Sequence, residues 1–220
     1  MLAVAFVAFS LFNFVGDPVN MMLGQDATPE QKIELRESLG IDKPFYVQFG
    51  AFVGNAVKGE FGLSLRQARP VSTLIKERLP ATLELAFVAG TLALIGGVLM
   101  GVYTALRKDG WFSQVLLTLS LIGVSLPNFL IGILLILVFA VTFQILPSYS
   151  RGDVTQLGWW STGFLTTSGL KALVLPSVTL SLYPMTLIMR LVRSEMLEVL
   201  RTDYIKFARA RGLTNQAVHF

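Results

Sequence analysis

From residue 115 to residue 146 the chain carries no charged side chain. An apolar stretch of about 18 residues or more with few charges is a candidate transmembrane helix, because a hydrocarbon core of roughly 30 Å needs about 20 helical residues. Two further stretches meet that test. Residues 81–106 hold one charge, Glu84, and residues 170–189 hold only Lys171, at the edge. A fourth run, residues 1–15, is uncharged but shorter, and it ends at Gly16-Asp17-Pro18. It lacks the basic n-region and small-residue cleavage site of a secretory signal. It reads as the second half of a transmembrane helix whose first turns are missing. Only 15% of residues are charged and the mean hydropathy is +0.63, against about 25% charged in a soluble domain. The expected fold class is an all-α integral membrane protein, a polytopic helix bundle with about four spans.

The same residues exclude several chemistries. There is no cysteine, and the single histidine is His219. Disulfide scaffolds, zinc ribbons, thiol enzymes and multi-histidine metal sites are therefore ruled out. The spans contain no His, Cys or Asp, and Glu84 stands alone, so a bilayer hydrolase has neither nucleophile–base pair nor metal. Glu84 reads as a membrane-entry residue satisfied by Thr82 or a helix end. A channel or secondary transporter subunit is the rival reading, but ion coupling usually demands ionisable residues at mid-membrane, and none is present.

Lys and Arg in short loops set orientation. Arg107 and Lys108 follow the second run. Arg190, Arg193, Arg201, Lys206, Arg209 and Arg211 follow the last, and residues 147–169 carry only Arg151. The Arg107 loop and the tail are thus expected in the cytoplasm, with residues 16–80 and the Arg151 connection outside. Within residues 16–80, Thr28-Pro29-Glu30-Gln31 has the form of a capping box with proline at the first helical position, which predicts a capped surface helix over residues 29–39. Residues 58–62 read as a turn, and Arg69-Pro70 as a break before a second short helix.

Gly97 and Gly101 are spaced as a small-residue contact motif, best read as packing within the chain. Ser125-Leu126-Pro127-Asn128 interrupts the third span. A proline break bearing a polar side chain points to a translocation path, so Ser125, Pro127 and Asn128 are candidates. Ser181, on the partly polar fourth span, is another. In the tail, apolar residues from Met196 to Ala208 alternate with charges. Asp203 starts a helix, Arg209 and Arg211 suit its C-terminal end, and Gly212 stops it. The pattern fits a helix lying on the membrane surface or a docking element for a soluble partner.

The segment Asp203-Tyr204-Ile205-Lys206-Phe207-Ala208-Arg209-Ala210-Arg211-Gly212-Leu213 resembles the EAA loop of binding-protein-dependent ABC importer permeases, and more narrowly their dipeptide, oligopeptide and nickel branch. Four other blocks agree, in the same order: Gly16-Asp17-Pro18, Leu39-Gly40-Ile41-Asp42-Lys43-Pro44-Phe45-Tyr46-Val47-Gln48, Gly59-Glu60-Phe61-Gly62-Leu63-Ser64 and Arg78-Leu79-Pro80-Ala81-Thr82-Leu83-Glu84-Leu85.

The resemblance implies a type I permease in a bacterial or archaeal inner membrane, multi-pass, importing peptides or a similar small solute. It implies a second permease subunit in a heterodimer, two ABC ATPase subunits, an extracytoplasmic solute-binding protein and the lipid bilayer as partners, with no nucleic acid. Residues 1–15 would be a partial first span, 16–80 an extracytoplasmic segment, and 81–220 the permease domain, with its coupling loop near 194–216. Asp203, Tyr204, Ala208, Arg209, Ala210, Arg211, Gly212 and Leu213 would contact the ATPase. The chain has no phosphate loop of the GxxxxGK[ST] form, so it is expected to bind no cofactor, leaving ATP and Mg to the partner ATPase. In the family further C-terminal spans follow the loop, so the chain is expected to be a fragment with roughly four of about six spans.

Overall fold

The computed structural model describes residues 2–15, 19, 23, 28–33, 43–64, 67 and 69–214. The chain divides into two compact units, Met1–Leu79 and Pro80–Phe220.

In the first unit, α1 (Leu2–Val15) has 14 residues, about 21 Å of helix. Helix α2 (Phe45–Val57), which the sequence reading did not identify, carries Phe45, Phe49 and Phe52 along one stripe. These rings meet Phe6 and Phe9 of α1 at centroid distances of 5.3 to 5.7 Å. The expected capping box forms. Gln31 N–H donates to Thr28 Oγ1 at 3.4 Å, and Thr28 N–H donates to Gln31 Oε1 at 3.1 Å. Residues 29–33 are helical, and the rest of that expected helix lies outside the described residues. Residues 58–62 make the expected turn.

The expected break at Arg69-Pro70 takes another form. These two residues are β2 (Arg69–Pro70), paired antiparallel with β1 (Leu63–Ser64). The helix that follows is not short. Helix α3 (Val71–Leu106) continues for 36 residues with Pro80 inside it. A proline deletes one ladder bond, here to the Lys76 carbonyl, and the apolar residues beyond it sustain the helix.

In the second unit, α3 and α6 (Thr167–Val199) are each long and apolar enough to cross a membrane. From Glu84 to Leu106, α3 rises about 33 Å, one hydrocarbon thickness. The third apolar run is interrupted at Leu126-Pro127, as the sequence predicts, by a bend sharper than a kink. It forms α4 (Trp111–Ser125) and α5 (Asn128–Leu135), the latter running into a π-helical stretch (Ile136–Thr142), with a bend of 111° between the two arms. Leu126 (φ −88°, ψ 136°) and Pro127 (φ −59°, ψ 135°) are both extended. Proline disfavours the helical region for the residue before it. Two successive extended residues turn the axis through a corner, where a proline inside a continuous helix would only kink it.

Helix α6 is the element the others pack on, and glycines bring them close. A Cβ on Gly97 would lie 2.7 Å from Ile188 Cβ and 2.9 Å from the Met185 carbonyl oxygen. One on Gly101 would lie 2.7 Å from Val192 Cβ and 2.9 Å from the Met189 carbonyl oxygen. The glycine pair is thus a contact within the chain, as its spacing predicts. A Cβ on Gly123 of α4 would lie 3.2 Å from Thr186 Oγ1, and one on Gly132 of α5 3.3 Å from Thr179 Cγ2. Thr186 and Thr179 are about 10 Å apart along α6, so the bent pair advances along α6 despite its corner.

The connection between the π-helical stretch and α6 holds a hairpin, β3 (Thr155–Leu157) against β4 (Trp160–Thr162), also unread in the sequence. Glu84 is 3% exposed, and the partners of its Oε2 come from this connection. Arg151 Nη2 donates to it at 3.0 Å and Gly163 N–H at 3.2 Å.

Candidate functional site

Helix α7 (Asp203–Ala210) follows the C-terminal end of α6 after a turn in which Thr202 Oγ1 donates to the Val199 carbonyl at 2.6 Å. Asp203 opens α7, and its Oδ1 accepts from Lys206 Nζ at 2.9 Å. Ile205 is buried at 6% exposure and fixes one side of the helix. Tyr204 and Phe207 are exposed, and Ala208 is half-buried. Tyr204, Phe207, Ala208 and Arg211 follow the i, i+3, i+4, i+7 spacing that places residues on one helical face. The Arg211 guanidinium lies 5.1 Å from the Phe207 ring centroid, within cation–π range. Ala210 and Leu213 are exposed at the end of this surface, and Arg209 lies in the last turn.

The end of α7 shows why glycine follows Arg211. Leu213 N–H donates to the Ala208 carbonyl at 3.3 Å, and Gly212 has φ +80°. That is the Schellman closure, with the left-handed residue just past the helix. A Cβ on Gly212 would meet nothing within 4 Å. The glycine is needed for its backbone angle, which costs an L-residue roughly 1–2 kcal/mol, and not for packing.

Three of the four path candidates stand together at the corner. Ser125 ends α4, Pro127 caps α5, Asn128 is its first residue, and all three are exposed. The Pro127 carbonyl accepts from Leu130 N–H at 3.0 Å and Ile131 N–H at 3.3 Å, which starts α5 without a side-chain cap. Ser181 does not join them. It is 1% exposed, and its hydroxyl donates back to the Val178 carbonyl at 2.9 Å, a common use of serine within apolar helices. An apolar cavity of about 440 Å³ lies between α5 and the N-terminal half of α6, lined by Gly132, Ile136, Tyr149, Ala172, Pro176 and Thr179 among others, and none of the four candidates lines it.

One helix joins the two places. The corner lies between the levels of Thr186 and Thr179 on α6, as the glycine contacts show. From Thr186, α6 runs without interruption to Val199 and the turn into α7. Near its C-terminal end Arg193 Nη1 donates to the Thr104 carbonyl of α3 at 2.7 Å, tying the two long helices together. Sequence reasoning missed this tie and the Glu84–Arg151 pair. The only signal for the latter was that each is the lone charge, or lone base, of its segment.

A family model described as "Binding-protein-dependent transport system inner membrane component" matches residues 97–220. A second, described as "Binding-prot-dependent transport system membrane comp, N-term", matches residues 1–86. A protein of Brucella suis biovar 1, whose name includes the words "peptide transport system permease protein", is 38% identical over 221 residues, covering 99% of this chain and 67% of that protein. The di/tripeptide transport system permease protein of Pseudomonas aeruginosa is 36% identical, covering 99% of this chain and 69% of its own length. The dipeptide transport system permease protein of Alkalihalophilus pseudofirmus is 33% identical, covering 96% and 68%.

Proposed function

Because the chain belongs to the family of inner-membrane components of binding-protein-dependent transport systems, and so is a transport component and not an enzyme, we propose that it forms part of a peptide pathway and couples it to a separate ATPase through α7. The solute assignment rests on the names of the relatives. The proposed assembly is a pair of permease subunits, two ATPase subunits that carry ATP and Mg, and an extracytoplasmic binding protein that delivers the solute. The membrane is a bacterial or archaeal inner membrane, crossed several times.

The carrying observation is α7 itself. It presents Tyr204, Phe207 and Arg211 outward on a helix closed by Gly212 and joined by a short turn to α6. An exposed aromatic–arginine face is the composition that dominates protein interfaces. Asp203, Ala208, Arg209, Ala210 and Leu213 complete the docking surface, with small residues allowing close approach. A push on α7 reaches the Ser125–Pro127–Asn128 corner through α6, where α4 and α5 pack on it. The corner is the proposed part of the path, and Ser181 is assigned to helix packing.

The test uses the absence of native cysteine. A single Ala210→Cys change in the complete subunit, assembled with its ATPase, is expected to give a crosslink to that partner that responds to nucleotide. An assembled complex with no such crosslink overturns the docking assignment. Gly212→Val is expected to insert normally but to abolish peptide uptake, because a β-branched residue resists positive φ.

A further inference from the structure

We propose that Glu84 and Arg151 form a positioning pair that fixes the extracytoplasmic connection on the outer end of α3, and so holds the entrance of the pathway in register with the spans. The proposal rests on the permease reading and adds a role for residues outside both the coupling helix and the corner. The Glu84 side chain is 2% exposed and that of Arg151 27%. Arg151 uses its fork in two directions at once. Nη2 donates to Glu84 Oε2 at 3.0 Å and to the Ser161 carbonyl at 2.6 Å, and Nη1 donates to Ser161 Oγ at 2.7 Å. Gly163 N–H adds a second donor to the same carboxylate oxygen. One buried carboxylate thus gathers both flanks of the β3–β4 hairpin, from residues 67 and 79 positions away in sequence.

The other side of the connection is secured separately. Ser168 Oγ donates to Asp153 Oδ2 at 2.7 Å and accepts from Asp153 N–H at 3.0 Å. Thr166 Oγ1 donates to the Asp153 carbonyl at 2.5 Å and, as the α6 N-cap, accepts from Gly169 N–H at 3.1 Å. Gly152 and Gly163 lie against the first residues of α6 so closely that the backbones touch. The connection is therefore part of the head of α6, and Glu84 is where α3 grips it.

Stability alone is a poor reason for this design. A buried ion pair contributes little net stability compared with an apolar pair of the same shape, because both charges lose their hydration. This pair is also not saturated: Glu84 Oε1 and Arg151 Nε are buried with no hydrogen-bond partner among the described residues. What the pair does supply is direction. Only one placement of the hairpin satisfies the carboxylate, the fork and Ser161 together.

The experiment uses the complete subunit assembled with its partners, carrying Thr155→Cys as a reporter. Thr155, opposite Thr162 in the hairpin, is half-buried, and the chain has no native cysteine. Labelling by a membrane-impermeant maleimide from outside reads the seat of the connection. The ratio of binding-protein-stimulated to basal ATP hydrolysis reads transport coupling. Arg151→Gln and Glu84→Gln are each expected to raise the labelling rate about tenfold or more, the scale for leaving one member of a buried pair uncompensated. Each is also expected to bring the stimulation ratio towards one with basal hydrolysis unchanged. Arg151→Lys, which keeps the charge but loses the fork, is expected to recover part of both. Unchanged labelling in Arg151→Gln overturns the proposal. So does faster labelling with the stimulation ratio intact, or basal hydrolysis falling in step with the stimulated rate. A wild-type complex that shows no stimulation by binding protein counts against the importer reading, and labelling then decides whether the pair holds the connection.

Discussion

Helix α3 meets the rest of the second unit in two different ways. Along its C-terminal half, the inner contact, Gly97 and Gly101 let its backbone lie against α6, where any Cβ would collide with Ile188, Val192 and two carbonyl oxygens. At Glu84, the outer contact, it reaches a connection through one carboxylate and one guanidinium. The first contact is made of many short-range dispersion terms and allows no slack. The second is made of a few directional bonds, with a reach that close packing lacks. The difference teaches that the two ends are held to different standards. The glycine contact must be tight, and the contact at Glu84 must be in register.

Breaking the inner contact is expected to cost most. Gly97→Val is expected to lower stability by about 3 kcal/mol in a denaturant titration in mixed micelles. Adding Ile188→Ala is expected not to restore it, since alanine keeps the Cβ at 2.7 Å and the Met185 carbonyl still lies 2.9 Å from the new Cβ. Full rescue by Ile188→Ala would reduce the contact to side-chain crowding. The outer contact comes next. Arg151→Ala is expected to cost roughly 2 kcal/mol, below the usual cost of a broken buried pair because Arg151 keeps some solvent. The double change Glu84→Leu with Arg151→Leu is expected to return within about 1 kcal/mol of wild type. If the double variant is as unstable as Arg151→Ala, the pair is needed for folding and the contrast with the glycine contact disappears.

Smaller effects sharpen the same contrast. Arg193→Met removes a single charged donor from the Thr104 carbonyl and is expected to cost about 1.5 kcal/mol in the same titration. The smallest effect is at Arg69 and Glu77, a pair joined by two hydrogen bonds but about half exposed. The hydrogen bond from Arg69 holds the Glu77 carboxyl below its ordinary value. A lowered carboxylate pKa contributes stability above the unfolded pKa and loses it as pH falls through the folded one. Any contribution should therefore fade in mild acid and in high salt. Arg69→Gln is expected to change stability less than any variant above, and to remove that acid dependence.

The sequence shows the inner contact and hides the outer one for a physical reason. Close helix packing is written locally, as glycines one turn apart, so Gly97 and Gly101 could be read. The Arg151 partnership is written across 67 positions, and a lone charge does not name its partner. Helix α7 was legible because Asp203 and Gly212 mark its two ends and the apolar spacing lies between them. The break at Pro127 was legible as a break, but its 111° angle depends on Leu126 also leaving the helical region. That joint choice cannot be read from proline alone. The helix expected to be short after Arg69-Pro70 runs on through Pro80, because a single lost ladder bond is outweighed by the helix on both sides. Helix α2 and the β3–β4 hairpin are too short and too mixed in pattern to separate from loop.

Helix α6 has 33 residues, about 50 Å of rod. A rod of that length turned by about 5° moves its far end by roughly 4 Å, which is more than the slack of any glycine contact described above. Its stiffness is unequal along its length. Pro176 lies in the half towards the connection and Pro184 beside the midpoint, and no proline lies between Thr186 and Val199. The arm that leads to α7 is therefore a crowbar without a joint, and the prolines leave whatever give the rod has to its middle and its other arm.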